Sequence, residues 1–143
     1  MKILHLSTQD IGGGGGGFNA TFRLHQSMIS QGINSKLLVL EKFSNDKDVL
    51  NPKIYNLFPN KFLRYFYKIK HLLNIKLHNI SPYFYIDSAI NISAKSFYKK
   101  ISFYPDVIMA HWVSGFLSPK HLYDLSNYFE APLLIYLMDN AAM

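Results

Sequence analysis

The sequence predicts an α/β fold, a parallel sheet with helices on both faces, and three observations carry that expectation. A short apolar run, Lys2 to Ser7 (KILHLS), leads almost directly into six consecutive glycines, Gly12 to Gly17. Apolar residues then recur at helical spacing from Phe18 to Gln31, and a second apolar run, Ser35 to Leu40 (SKLLVL), follows. The last third repeats the theme, with Asp106 to Trp112, a helix opened by Ser118-Pro119, and Leu133 to Met138. Strand, helix and strand within about forty residues make a βαβ unit, whose crossover is right-handed. The doubly wound, Rossmann-like sheet is the architecture that such units build.

Each element has a local reason. KILHLS is too short for a helix and bounded by turn residues, so it reads as a buried strand. In the first helix Ala20, Leu24 and Met28 fall four apart with Phe22 and Ile29 beside them, and Gly32 supplies the usual C-terminal stop. The stretch from Glu41 to Asn60 is polar, broken by Pro52 and Pro59, and reads as a loop. Ser93 to Lys100 is a weaker helix candidate ahead of Tyr104-Pro105. Ser118 before Pro119 is a capping residue followed by proline at the first helical position, and the helix runs to about Tyr128. Leu133 to Met138 reads as another buried strand, which a further helix should cover.

Between the two halves lies a segment of different character. From Lys61 to Leu77 the residues Phe62, Phe66, Ile69, Leu73 and Leu77 are spaced 4, 3, 4 and 4, while Lys61, Arg64, Lys68 and His71 take the other side. The charge is local as well. No Asp or Glu occurs between Val49 and Ile86, where Lys53, Lys61, Arg64, Lys68, Lys70 and Lys76 lie, and the other nine Lys and Arg are balanced by nine Asp and Glu. The net charge of +6 is thus one basic segment on a neutral domain. That calls for a local anionic partner rather than general nucleic-acid affinity. Two readings stand side by side, an apolar stripe packed on the sheet and a helix lying on an anionic membrane surface.

Composition narrows the field. A chain of 143 residues, 49% of them apolar, is the size of one domain and can bury a core, but cannot hold two full α/β domains. With no cysteine there is neither a disulfide framework nor a thiolate metal site, and a reducing, cytoplasmic setting is expected. No apolar run is long enough to span a bilayer, and the opening residues do not match a secretion signal.

The residues that can carry chemistry gather at the strand exits. Gly12, Gly13, Gly14, Gly15, Gly16 and Gly17 stand between strand and helix, where backbone amides and the positive helix end can hold a phosphate. Six glycines satisfy almost any glycine motif, so the strand-turn-helix context carries that reading, against a turn with no ligand. His111 and Trp112 close a strand at the edge where α/β folds bind ligands. His111 can bond a substrate hydroxyl or phosphate, or be a histidine capped by the next loop. Asp139, after the last strand, can bind sugar hydroxyls, act as a catalytic base, or cap a helix. No arrangement points to hydrolysis or to a metal.

Taken together, KILHLSTQDIGGGG with FNATFRLHQSMISQGINSKLLVL, DVIMAHWVSGFLSPKHL and LLIYLMDNAAM resemble the N-terminal domain of GT-B fold glycosyltransferases. The closest group is the large retaining family of bacterial polysaccharide-synthesis type. The matching positions are Ser7, Thr8, Gly12, Gly13, Arg23, Leu24, His25 and Gly32, then His111, Trp112, Gly115, Phe116, Leu117 and Ser118. The likeness covers Met1 to about Leu40 and Asp106 to Met143, with a variable insert over 41–105.

The resemblance implies transfer of a sugar from a UDP- or GDP-sugar to a glycan or lipid-linked acceptor. It assigns Gly12 to Gly17 to the donor diphosphate and His111, Trp112 and Asp139 to the acceptor and sugar cleft. The sequence departs from the family in its longer glycine run and in Met138, where a histidine is frequent. The family's second domain, which binds the nucleotide and carries paired glutamates, has no counterpart here, nor does the Thr-Gly-Gly stretch expected after Asp139. The expectation is therefore an acceptor-side half, incomplete at its C-terminal end and inactive until joined by a donor-binding domain or partner chain. The rivals are a small non-catalytic nucleotide-binding or interaction module and an oxidoreductase-type Rossmann domain. Lys61, Arg64, Lys68, Lys70 and Lys76 are the residues expected at an inner membrane face.

Overall fold

The computed structural model describes residues 1–11, 16–51, 65–66, 69, 72–73, 76–77, 98, 101–113 and 116–136. In chain order the elements are β1 (Lys2–Gln9), α1 (Gly16–Ser30), β2 (Asn34–Glu41), β3 (Val49–Leu50), β4 (Val107–Ala110), α2 (Pro119–Phe129) and β5 (Leu133–Ile135). The five strands form one sheet in the order β3-β2-β1-β4-β5, and every pairing is parallel. This is the expected α/β, Rossmann-like architecture.

Strand pleating divides the core in two. Side chains of successive strand residues point to opposite faces. Leu37 and Val39 of β2, with Val49, meet Phe22 of α1 on one face. Leu38 lies on the other, in a larger cluster with Leu4, Leu6, Ile108 and Ala110 and with Leu122, Leu125 and Phe129 of α2. The two helices therefore cover opposite faces, as right-handed crossovers running outward from β1 require.

The helix ends are well specified. Gly32 has φ +78°, its N–H donates to Ile29 at 2.9 Å, and the N–H of Ile33 reaches Met28 at 3.0 Å. That pair of bonds satisfies the last carbonyls of α1 and needs the left-handed conformation at Gly32. A Cβ there meets nothing within 4 Å, so a side chain is opposed by the backbone alone. Gly32→Ala should therefore cost about 1 kcal/mol in urea denaturation, whereas Gly16→Ala, at an open helical position, should cost nothing. Equal effects at the two sites would refute this account of the α1 terminus. At α2, Ser118 caps His121 N–H at 3.3 Å and the His121 ring accepts from Ser118 N–H at 3.3 Å, with Pro119 opening the helix.

Five expectations need correction. Gly16 and Gly17 belong to α1, so the glycine turn is shorter than six residues. The buried face of α1 is Phe18, Thr21 and His25 rather than a stripe through Ala20, which is exposed, because polar groups of the sheet meet it there. The loop after Glu41 contains a strand, β3, held by Leu37 N–H donating to Asp48 O at 3.0 Å. β5 is an exposed edge rather than a buried strand, with Leu134, Ile135 and Tyr136 each at least half exposed. Tyr65, Phe66, Ile69, Leu72, Leu73, Lys76 and Leu77 are helical, but their apolar members are exposed instead of packed on the sheet. Gly12, Gly13, Gly14, Gly15, Lys61, Arg64, Lys68, Lys70, Gly115 and Asp139 lie outside the described residues. Among the described residues, no helix is long and apolar enough to cross a membrane.

Candidate functional site at the C-terminal edge of the sheet

The connection from β1 runs toward β2, and the later strands lie on the opposite side of β1. The winding direction thus reverses between β1 and β4. In open parallel sheets the crevice outside the strand ends at such a reversal is where ligands bind. β1 ends there, and His111 and Trp112 follow β4 at the same point. Thr8 links the two exits, donating to Trp112 O from its N–H at 2.7 Å and from Oγ1 at 3.0 Å. The Trp112 ring stands edge-on to Phe18, in the first turn of α1, with centroids 6.5 Å apart. The structure therefore brings together Trp112, His111 and the residues into which the glycine run feeds.

Below this edge, on the α1 side of the sheet, lies a buried polar layer that sequence reading missed. His5 Nδ1 is 2.9 Å from His111 Nε2, with both residues buried and their rings stacked at 5.2 Å. His25 of α1 stands edge-on to His5 at 5.9 Å and pairs through Nδ1 with Ser35 Oγ at 2.7 Å. Burial, then the neighbouring His111 and His25, lower the His5 pKa to about 3, and burial lowers that of His111 to about 4. His25 is lowered as well, mainly by burial. All three rings are neutral at pH 7, and His111 Nε2 is engaged within the protein. Among the described residues, no group of three or more His, Asp or Glu is placed to hold a metal ion.

Asp10 organises the loops around the edge. Its side chain is fully buried and accepts from the N–H groups of Ile11 (2.8 Å), Phe43 (2.8 Å) and Ser44 (2.9 Å). Burial alone opposes the charged form, but hydrogen bonds from the Ser44 side chain and from these three amides outweigh it and hold Asp10 below its usual range. One carboxylate thus ties the entry of the glycine run to the loop after β2. Beside it Gln9 Nε2 donates to Glu41 at 2.7 Å, so the acidic residue ending β2 is engaged within the protein.

The signal for this layer was present as alternation. Ile3, His5, Ser7 and Gln9 share one face of β1, and three of them are polar in a strand otherwise buried. The separate cavity of about 350 Å³ lined by Lys36, Leu38, Leu50 and Phe103 lies on the α2 side, away from the strand exits. Compared with protein-family models, curated proteins and solved structures, the chain finds no match.

Proposed function

We propose that this chain is the acceptor-side half of a GT-B glycosyltransferase. In this reading it works with a donor-binding domain to transfer a sugar from a UDP- or GDP-sugar to a glycan or lipid-linked acceptor. One observation carries the reading: the end of β1, the first turn of α1, His111 and Trp112 meet at the winding reversal between β1 and β4. That is where an α/β domain presents backbone amides and a helix start to an anionic ligand. The order of motifs, resembling that family from KILHLS to DVIMAHW, supplies the reaction class. In this reading the glycine run faces the donor diphosphate. Neutral His111 and the Trp112 ring line the sugar side, where an aromatic surface and an uncharged hydrogen-bonding group suit a polyhydroxylated ligand. Asp139 is the candidate base.

A second reading, a non-catalytic nucleotide-binding or interaction module, is favoured by the exposed apolar side chains of β5, which suit a partner surface. Trp112 is the only tryptophan, so its fluorescence reports directly on the edge. The isolated chain should show no sugar-nucleotide turnover, and its fluorescence should respond to nucleoside diphosphates and sugars but not to NAD. Clear product from this chain alone would overturn the half-site reading. A response to NAD only would favour an oxidoreductase-type domain, and silence toward every ligand would leave the interaction module.

A further inference from the structure

The α2 side of the sheet carries a recess that the strand-exit site does not use. Leu38 of β2 and Leu50 of β3 are register partners and form its floor, with Ile101 and Phe103 as its wall and a volume of about 350 Å³. Leu38, Ile101 and Phe103 all belong to the larger core cluster, so the recess reaches into the core. Its wall is anchored: Ile101 N–H donates to Tyr98 O at 2.9 Å, and the Tyr98 hydroxyl donates to His121 O of α2 at 2.9 Å. A recess with a fixed wall is formed before any ligand enters, as small-molecule sites usually are.

Size and lining say what suits it. The volume is more than ten times the roughly 30 Å³ that one water molecule takes in the liquid. Packed interiors leave few voids larger than a single water. Buried water is held by several polar partners, and Leu38, Leu50, Ile101 and Phe103 offer none. The volume instead falls at the lower end of the range of small-molecule sites.

The rim decides the head group. Lys36 stands two residues before Leu38, on the same face of β2. Among the described residues that line the recess, it is the charged one. Its ammonium has three N–H donors and gives one to Asp48, whose carboxylate lies outside the lining. Asn51 Nδ2 already donates to Leu40 O at 3.1 Å, and Ser102, exposed at the mouth, adds a hydroxyl. A cation above an apolar floor is complementary to a carboxylate on an apolar body.

We propose that this recess binds a small amphipathic carboxylate. Its hydrocarbon or aromatic body lies against Leu38, Leu50, Ile101 and Phe103, and its carboxylate meets Lys36. The site does not depend on the sugar-transfer reading, because it lies on the face opposite α1 and away from the strand exits.

The test is titration of the full chain with decanoate, decanol and decylamine, read from the methyl NMR signals of Leu38, Leu50 and Ile101. Decanoate should bind at least about tenfold more tightly than decanol, and decylamine more weakly than either. Lys36→Gln should weaken decanoate binding about tenfold and abolish the preference over decanol. Asp48→Asn, which releases Lys36 from its internal partner, should tighten decanoate binding about threefold, a gain that a purely structural role for the pair would not produce. Ser102→Trp should fill the mouth and abolish the shifts, while its circular dichroism matches the parent because the position is exposed. No methyl shift with decanoate would overturn the proposal, as would equal affinity for decanoate and decanol, or a Lys36→Gln variant that binds decanoate as tightly as the parent. So would self-association of the parent that Ser102→Trp abolishes, which would assign the recess to a second copy of the chain.

Discussion

Asp10→Ala should lower the unfolding free energy by about 4 kcal/mol. The residue lies at the end of β1, fully buried, with three backbone amides directed at its two oxygens. Hydrogen bonds to a charged group contribute about 1.5–3 kcal/mol each, and a donor left unsatisfied costs about 1–3 kcal/mol. Water entering beside the exposed Phe43 can replace part of that loss, which is why the expected total is nearer 4 than the sum of three full bonds. Asp10→Asn retains one acceptor oxygen and should cost about half as much. Amide exchange at Ile11, Phe43 and Ser44 should quicken in both variants, ahead of exchange in β2. A loss below 1 kcal/mol in the alanine variant would show that the two loops are held by something else.

The same residue shows why some of this structure was legible in the sequence and some was not. Lys2–Gln9, Gly16–Ser30 and Asn34–Glu41 are each close to the segments expected, since their apolar blocks and Gly32 act locally. Asp10 reads locally as a turn residue, and its three partners include two that are 33 and 34 residues away. β3 was missed for a similar reason: Val49 and Leu50 are two apolar residues in a polar stretch, and only pairing with Leu37 and Leu38 makes them a strand. An apolar run also does not say what covers it. Leu133–Ile135 reads like a buried strand but is exposed at the edge of the sheet formed by the described residues, and Phe66, Ile69, Leu73 and Leu77 are exposed as well.

At the site, position along the chain was enough to put His111 and Trp112 at a strand exit. It could not show that His111 is bonded to His5 from 106 residues away, nor that His25 meets Ser35 beneath α1. In the family likeness His25 was one letter of a motif. In the fold it is a fully buried polar group on the face of α1, where periodicity had favoured Ala20. Polar residues break an amphipathic pattern whenever their partners lie on another element, and only the assembled sheet supplies those partners.

The buried histidines make the second large effect one of pH. A histidine whose folded pKa lies below its unfolded value of 6.5 binds fewer protons folded than unfolded. Stability therefore falls as pH drops below 6.5, and the loss levels off only below the folded pKa. For His5, with a folded pKa of about 3, the loss between pH 7 and pH 4.5 is about 3 kcal/mol. His111, at about 4, and His25, also lowered, act in the same direction. Asp10 does not contribute in this window. Its folded pKa lies below its ordinary 3.8, so its stabilisation persists above that value and is lost only in stronger acid. Set against the 5–15 kcal/mol typical of a domain, His5 and His111 together should remove about 4 kcal/mol by pH 5, a large share of the total. His5→Gln should be less stable than the parent at pH 7.5, because His111 Nε2 loses its partner, yet its stability should decline less steeply on acidification. Urea midpoints at pH 7.5, 6.0 and 4.5 would show the two curves converging by about 3 kcal/mol. Parallel curves would mean that His5 is not held neutral by burial, and the polar layer under α1 would then need another explanation.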